Sequence, residues 1–289
     1  MRIVVAHNLA SGAAVQPCWG PMFGEKAVSE QGLVERLLQC LPPRSTVVGD
    51  RNFGVFSVAF AAHRQEHFVV VRLTKARAQR IMGGSLPKRK TDCDVDWKPS
   101  RDDRRSHPTI PIDACLRGRL IVRHLKHYGQ VTVLYLFTTL QLPAEEIVEL
   151  YGLRWNIETD LRSLKQTVRL GHLRSLSPPM VAQELIAGVM AYNLVRTVQL
   201  AAAQLVGVDP RQLSFARVQT VVSAWFPVLL NARNPQEFSK LFARMLAAAA
   251  QAKLPKRRRR SYPRAIWGRP QEWPRRTVGN KRLQAKGGK

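Results

Sequence analysis

Four residues with complementary chemistry lie close together near the middle of the chain: Tyr151, Arg154, Glu158 and Lys165. At about 100° per residue of an α-helix, and with Tyr151 taken as the origin, the other three lie near 300°, 340° and 320°. All four would therefore occupy one narrow edge of a helix. A carboxylate among cations at such an edge is a candidate ligand for a divalent cation.

An apolar stripe runs beside this polar edge. It consists of five side chains near 200° to 280° on the same helical wheel: Leu153, Ile157, Leu161, Leu164 and Val168. An amphipathic helix packs such a stripe against a core. The pattern thus predicts a half-buried helix over residues 143–170, interrupted only at Gly152.

A second acid, Asp50, follows the β-branched run of residues 45–49 and would lie at the end of a strand. Carboxylates that converge from a strand end and a helix can hold two Mg²⁺ ions about 3.5 to 4 Å apart, as phosphoryl transfer on nucleic acid requires. The alternative is a solvated helix face with an Arg154–Glu158 pair at i, i+4, worth about 0.2 to 0.5 kcal/mol. Asp160 would lie opposite Glu158 on the wheel and so does not replace it.

The elements that must position these acids alternate between strand and helix patterns. Two β-rich runs around a turn signal predict a hairpin, an amphipathic helix stops before Pro42, and a strand, a short helix and another strand follow. The hairpin strands, the first helix and the next strand occupy residues 3–7, 14–19, 25–41 and 45–49. The short helix ends at residue 63, and the last strand occupies residues 68–71. The order β-β-α-β-α-β predicts an α/β fold.

The middle of the chain differs in composition. Residues 74–119 are basic, with Gly and Pro and few apolar side chains, which predicts an insertion with long loops. The segments 120–123 and 131–139 return to β-type composition and predict strands that close it.

The last third of the chain is helical and then strongly basic. Long helices are predicted over residues 178–206 and 235–252. Residues 253–289 contain 14 Lys and Arg and a single acid, Glu272. That composition predicts a basic, disordered tail.

Charge restricts the partners of the whole protein. The 289 residues include 46 Lys and Arg against 20 Asp and Glu, a formal net charge of +26, which points to a polyanion, either nucleic acid or an acidic membrane surface. The apolar stretch 185–208 contains Arg196 and is interpreted as a buried helix rather than a membrane span. Four widely spaced cysteines and no recognisable signal peptide predict a reducing cytosol.

The motif resembles a known family. Tyr151, Arg154, Glu158 and Lys165 match the Y-x2-R-x3-E-x6-K signature of the DDE transposases of bacterial insertion sequences, of the insertion-sequence-four type. The segment Asp-Arg-Asn-Phe-Gly at residues 50–54 looks like the D-R-x-F segment that holds the family's second acid. The resemblance covers roughly residues 3–265.

This resemblance implies an RNase H-like α/β core with a β-rich insertion and a C-terminal helical region. The implied segments are the first part of the core (1–71), the insertion (72–139), core helices with the motif (140–206), the C-terminal helical region (207–252) and the basic tail (253–289). Asp50 and Glu158 would be catalytic ligands of Mg²⁺ or Mn²⁺ in a two-metal site that cleaves DNA and transfers the strand.

Contacts with DNA are implied as well. Tyr151, Arg154, Lys165 and Arg51 would contact the phosphates of double-stranded DNA, at the transposon ends and the target. The implied protein acts in the bacterial cytoplasm on the nucleoid, without a membrane partner, and a homodimer on DNA is compatible with it.

One part of the family pattern is missing. The triad needs a first acid on an opening strand, yet no aspartate precedes Asp50, and Glu25, Glu30 and Glu35 fall in or beside the first helix. We therefore expect a truncated core that lacks its first strand, an incomplete two-metal site and no activity of the chain alone.

Other interpretations stay open from the sequence. The chain could be a non-catalytic DNA-binding protein that retains a transposase's basic surface, or a basic RNA-associated or assembly protein with an accidental motif. His63 and His67 have the spacing of zinc ligands but no recognisable third ligand. The alternating acids of residues 92–96 are interpreted as loop charge rather than a calcium site.

Overall fold

A computed structural model describes residues 1–86, 90–127, 130–171, 173–175 and 177–255. Within these ranges the strands are β1 Arg2–Val4, β2 Cys18–Gly20, β3 Thr46–Gly49, β4 Phe68–Arg72, β5 Thr91–Trp97, β6 Leu116–His127 and β7 Gln130–Thr138. The α-helices are α1 Glu30–Leu38, α2 Phe56–Arg64, α3 Lys75–Ile81, α4 Arg101–Ser106, α5 Ala144–Gly152, α6 Trp155–Arg162, α7 Pro178–Leu205, α8 Phe215–Leu230 and α9 Pro235–Ala250. A π-helical turn, Ser163–Thr167, and a 3₁₀ turn, Pro210–Gln212, follow α6 and α7.

The strands form two separate sheets. The larger is mixed, in the order β3-β4-β7-β6-β5, with β3 and β4 parallel and the other pairs antiparallel. The smaller is the antiparallel pair of β1 and β2. In the part of the chain that the structure describes, β3 is therefore an edge strand of the larger sheet.

Both faces of the larger sheet are covered, which explains the continuous apolar run of β4. Val69 and Val71 pack with α1 and α2 on one face. Val70 packs with Ile147 and Tyr151 of α5 on the other. Successive strand residues point to opposite faces, and a strand buried on both sides has no polar alternation.

A second core joins the C-terminal helices. Helices α7, α8 and α9 pack through Val195, Val218, Met245 and their neighbours. Helix α7 is long and apolar enough to pass a test for a membrane span by length and composition. Its buried face includes Arg196 and Gln199, whose side chains are bonded inside the protein, so the prediction of a buried core helix fits its packing.

Several predicted elements are confirmed. The hairpin pairs Val4 with Cys18, the β3 and β4 strands are present, and α7 matches its predicted span within about a residue. Helix α1 begins later than predicted, because Ser29 accepts a hydrogen bond from the Gly32 amide and caps its first turn. The mixed α/β class is also confirmed.

The prediction of long loops over residues 74–119 is wrong, because this stretch contains α3, β5 and α4. Thr74 caps α3 and Ser100 forms a capping box with Asp103. In β5 the acids alternate with Cys93, Val95 and Trp97, a period-two pattern typical of a strand with one buried face.

The predicted helix over 143–170 is also wrong as a single element. Around its break the amides of Arg154, Asn156 and Ile157 bond three residues back rather than four, so the helix is wound more tightly between α5 and α6. Leu153, predicted to join the core, is 46% exposed. Of the predicted stripe, Leu164 is buried.

Residues 1–254 form one compact unit, and the segment boundaries predicted inside it stay predictions. The predicted disordered tail over 253–289 lies outside the described residues from position 256 onward.

Candidate functional site

Asp50 begins a tight turn at the carboxyl end of β3. Its Oδ1 accepts a hydrogen bond from the Asn52 amide at 2.8 Å, and its backbone oxygen accepts one from the Gly54 amide at 2.9 Å. Gly54 lies so close to β4 that an added Cβ would be 2.0 Å from the Arg72 carbonyl oxygen. A glycine at position 54 therefore lets the turn pack against β4 and fixes the position of Asp50.

Three neighbouring side chains hold this turn from outside. Glu30 accepts a bond from the Asn52 side chain at 2.7 Å, and Gln31 donates to the Asn52 carbonyl at 2.8 Å. Arg77 donates to the carbonyls of Arg51 and Gly54. The Arg51 residue itself is exposed, so its guanidinium faces solvent from a turn that is otherwise well fixed.

Tyr151 lies at the end of α5 and is buried against the sheet. It packs in the cluster that contains Val48 of β3 and Val70 of β4. Val48, two positions before Asp50, therefore lies on the face of the sheet that α5 covers. The Tyr151 hydroxyl is buried and has no hydrogen-bond partner among the described residues.

Arg154 connects this tyrosine to Glu158. Its guanidinium carbon is 5.8 Å from the centre of the Tyr151 ring and 5.4 Å from that of Trp155, distances typical of a cation–π contact. Its Nη2 is 3.7 Å from Glu158 Oε1; the Arg154 side chain is 16% exposed and that of Glu158 is 53% exposed. Tyr151, Arg154 and Glu158 thus form one contiguous group with the acid at the surface.

Lys165 is separated from that group by the change from α6 to the π-helical turn. It is exposed and borders a groove of about 760 Å³, which is also lined by Arg169 and Arg174. The one acid lining this groove, among the residues described, is Glu184. Hydrogen bonds from the backbone amides of Arg174 and Ser175 hold the pKa of Glu184 below its ordinary value, so it stays ionised.

The predicted single edge is therefore only partly formed. Tyr151, Arg154 and Glu158 are brought together, but Lys165 belongs to a different helical segment and faces its own groove. Within the described ranges, no hydrogen bond or ion pair joins the Asp50 turn to the Tyr151–Lys165 segment. Val48 of β3, just before the turn, and Tyr151 share one hydrophobic cluster.

Sequence reasoning missed a buried ion cluster around Asp160, two residues after Glu158. Asp160 is fully buried, and its carboxylate binds Arg196 and Arg211. Burial raises the pKa of the neighbouring Tyr192 to about 12. The available signal was an arginine, Arg196, inside the most apolar helix of the chain, because a buried charge needs a partner of opposite sign.

Comparison with known proteins connects this geometry to a family. Residues 25–194 match the family model described as Transposase DDE domain. The chain belongs to that family. The matched stretch of this DDE-domain protein contains the Asp50 turn, the Tyr151–Arg154–Glu158 group and Lys165.

A curated relative is more specific. Over 262 residues the DDE-domain protein is 29% identical to "Transposase InsG for insertion sequence element IS4" of Escherichia coli (strain K12). The alignment covers 87% of this chain and 57% of the relative. The chain therefore spans little more than half the length of the relative it matches, and the predicted resemblance to insertion-sequence transposases of this type is confirmed.

The family implies a divalent metal, and the described residues provide only part of a site. Nowhere in the described ranges do three or more His, Cys, Asp or Glu side chains approach closely enough to hold a metal ion. Asp50 and Glu158 are suitable oxygen donors, yet they do not complete a two-metal donor set. No catalytic step through a metal can be derived from these side chains alone.

The other candidate ligands have structural partners. His67 is buried with its Nε2 3.1 Å from the Leu38 carbonyl oxygen, and His63 lies in the last turn of α2. Asp92 and Asp96 lie on β5, not in a loop, and pair with Arg119 and Arg117. The prediction of loop charge is wrong in its location, since these acids form cross-strand pairs.

Proposed function

We propose that this DDE-domain protein is a DNA transposase chain of an insertion sequence, acting on double-stranded DNA at transposon ends and target. The observation that carries the proposal is the family match, because its 25–194 span includes both the Asp50 turn and the Glu158 group. Cleavage of DNA and strand transfer would be the activity of the complete family site, with Asp50 and Glu158 as two of its acids.

The finer fold proposal is an RNase H-like core that lacks its first strand. The two sheets support it. Strand β1 pairs with β2, strand β3 pairs with β4, and each has one edge without a strand partner among the described residues. Val4 of β1 and Val47 of β3 both pack against the cluster that includes Val34 of α1. A strand inserted between these two edges would join the sheets into one.

Contact with DNA phosphates is the proposed role of four residues. Arg51 and Lys165 are exposed cations with free access to a ligand, and the formal net charge of +26 favours any polyanion. Arg154 is mostly buried and paired with Glu158, so it would reach a phosphate only by exchanging that partner. Tyr151 would offer its unpartnered hydroxyl.

We further propose that the chain alone does not cleave DNA. A complete family site would hold two Mg²⁺ or Mn²⁺ ions, which supply Lewis-acid catalysis of phosphodiester displacement. Here Asp50 and Glu158 provide two acids, and Glu158 is already in an ion pair with Arg154. Too little negative charge is left to hold two cations.

A non-catalytic DNA-binding protein is the second candidate function. The Arg154–Glu158 ion pair favours this candidate, because an acid that is paired with an arginine needs no metal ion. Both candidates predict salt-dependent DNA binding, but only a competent transposase predicts cleavage. Homodimer formation on DNA is a further proposal, to be read from the stoichiometry of the complex.

The test combines binding and cleavage with duplexes that carry the ends of the insertion sequence. Binding should weaken steeply with salt, and Lys165→Gln or Arg51→Gln should each lower the slope of log K against log salt by about 0.9. Lys240→Gln on α9 is a matched control that should leave the slope unchanged. Cleavage in Mg²⁺ or Mn²⁺ should be absent.

Two results would overturn parts of this proposal. Cleavage that Glu158→Gln abolishes would establish the transposase and refute the incompleteness of the site. Binding that is insensitive to salt and to both Lys165→Gln and Arg51→Gln would refute the proposed DNA contacts.

A further inference from the structure

Asp160 is held by both of its carboxylate oxygens inside the protein. Oδ1 accepts hydrogen bonds from Arg196 Nη2 at 2.5 Å and from Arg211 Nη1 at 3.0 Å, while Oδ2 accepts one from Arg211 Nη2 at 3.0 Å. Arg211 thus makes a two-pronged contact, the geometry for which guanidinium is better suited than ammonium. Asp160 is 0% exposed and Arg196 4%.

These arginines are themselves fixed by other parts of the fold. Arg196 donates to the Tyr192 hydroxyl at 2.8 Å and to Gln199 Oε1 at 2.9 Å. The Tyr192 hydroxyl donates to the Gly12 carbonyl at 2.7 Å, and Arg211 donates to the Leu9 carbonyl at 3.0 Å. The carboxylate of α6 is therefore anchored to α7, to the 3₁₀ turn and to the loop between β1 and β2.

The rest of α6 is less buried than Asp160, although Leu164 in the turn that follows packs in the helical core. Of its eight residues, all of which the structure describes, Asp160 alone is buried. Trp155 at its start is 65% exposed, and no side chain caps its first turn. Within α6 itself, the Asp160 carboxylate is therefore the one fully enclosed group that constrains the rotation of the helix about its axis.

That rotation determines where the site residues point. Two positions along an α-helix differ by about 200°, so a carboxylate at 160 that faces inward turns Glu158 outward. The π-helical turn that carries Lys165 continues directly from α6. Any rotation or fraying of α6 would move both side chains together.

We propose that Asp160 is a positioning residue of the candidate DNA site, which orients Glu158 and Lys165 through its pairing with Arg196 and Arg211. This role rests on the proposed function, in which Lys165 contacts a DNA phosphate. A purely structural role would change stability alone. A positioning role also changes what Lys165 contributes to DNA binding in protein that is still folded.

The experiment is a double-mutant cycle of Asp160→Asn with Lys165→Gln, read as the salt slope of binding to a duplex of transposon-end sequence. Circular dichroism selects a temperature at which every variant is folded. In the wild type, Lys165→Gln should lower the slope by about 0.9. In the Asp160→Asn background it should change the slope by less than about 0.3, because Lys165 no longer meets its phosphate.

Asp92→Asn is the matched control, since it makes the same charge change at a different aspartate–arginine pair, on β5. The Lys165→Gln effect should be intact in its presence. Arg211→Lys is the second variant for the case that Asp160→Asn does not fold, because it keeps the charge and the Arg196 bond but loses the two-pronged contact. It should reduce the Lys165→Gln effect by about half.

The outcomes separate the two proposals. A full Lys165→Gln effect in folded Asp160→Asn, or in Arg211→Lys, overturns the positioning role and leaves the DNA site standing. A wild type in which Lys165→Gln has no effect overturns Lys165 as a DNA contact and with it the role of Asp160.

Discussion

The turn that holds Asp50 depends on one glycine, and replacing Gly54 by alanine should be costly. The added Cβ would lie 2.0 Å from the Arg72 carbonyl oxygen and 2.9 Å from its carbon, whereas real contacts of this kind stay beyond about 3 Å. The obstacle is backbone, because Arg72 pairs with Leu136 in the sheet, so no side-chain rotation can relieve it. The turn or the strand must move by about 1 Å.

We expect Gly54→Ala to lower the free energy of unfolding by about 2 to 3 kcal/mol, the usual upper range for forced overpacking. For a unit of this size that corresponds to a fall in Tm of about 4 to 6 °C. Urea unfolding followed by circular dichroism measures the change. The shift should also loosen the bonds that Arg77 makes to this turn.

Gly152→Ala provides the matched control. Position 152 ends α5, and an added Cβ would meet nothing within 4 Å. Alanine there should be neutral or should stabilise the protein by up to about 1 kcal/mol, since glycine is the poorer helix former. If Gly54→Ala unfolds at the same urea concentration as the wild type or as Gly152→Ala, the close approach to β4 does not constrain the Asp50 turn.

Three further predictions concern stability. Asp160→Asn should cost about 3 to 5 kcal/mol because it leaves two cations without their carboxylate. Asp92→Asn, at a pair whose side chains are 32% and 14% exposed, should cost less, about 1 kcal/mol; equal losses in urea unfolding would contradict the central role of the buried pair. Gly188→Ala would place a Cβ 2.5 Å from the Leu170 side chain, so it should lower the free energy of unfolding by about 1 kcal/mol. Leu170→Ala in the same chain should remove that effect, and additive losses would argue against this contact. The pKa of Glu184 is lowered in the folded protein from its ordinary 4.5, so its contribution to stability is present above pH 4.5 and is lost as the pH falls through the lower folded value. The Glu184→Gln variant should therefore lose less stability than the wild type between about pH 5 and pH 3. Parallel curves of stability against pH would show that the amide bonds to Glu184 contribute nothing.

The fold was predictable where local pattern and packing agree. The β4 run and α7 are long, uniform signals, and both occur as predicted. Strand β5 was missed because its acids dominate its composition, although Val95 and Trp97 alternate with them. The two-residue period of a strand is therefore present in the sequence, but the many acids make the stretch resemble a charged loop.

The candidate site was predictable in its residues and not in its arrangement. A helical wheel assumes one straight helix, and the three-residue hydrogen bonds around Arg154 break that assumption. Nothing local at Asp160 identifies its partners, which are 36 and 51 positions away. Pairing over such separations is decided by the tertiary fold.

The break between α5 and α6 gives the motif its geometry. Tyr151 is packed against the sheet with Val70, and Asp160 is fixed to the helical core through Arg196. Arg154 and Glu158 lie between these two anchors, so their position depends on both cores at once. Between the two anchors, Glu158 is left at the surface, with its side chain 53% exposed.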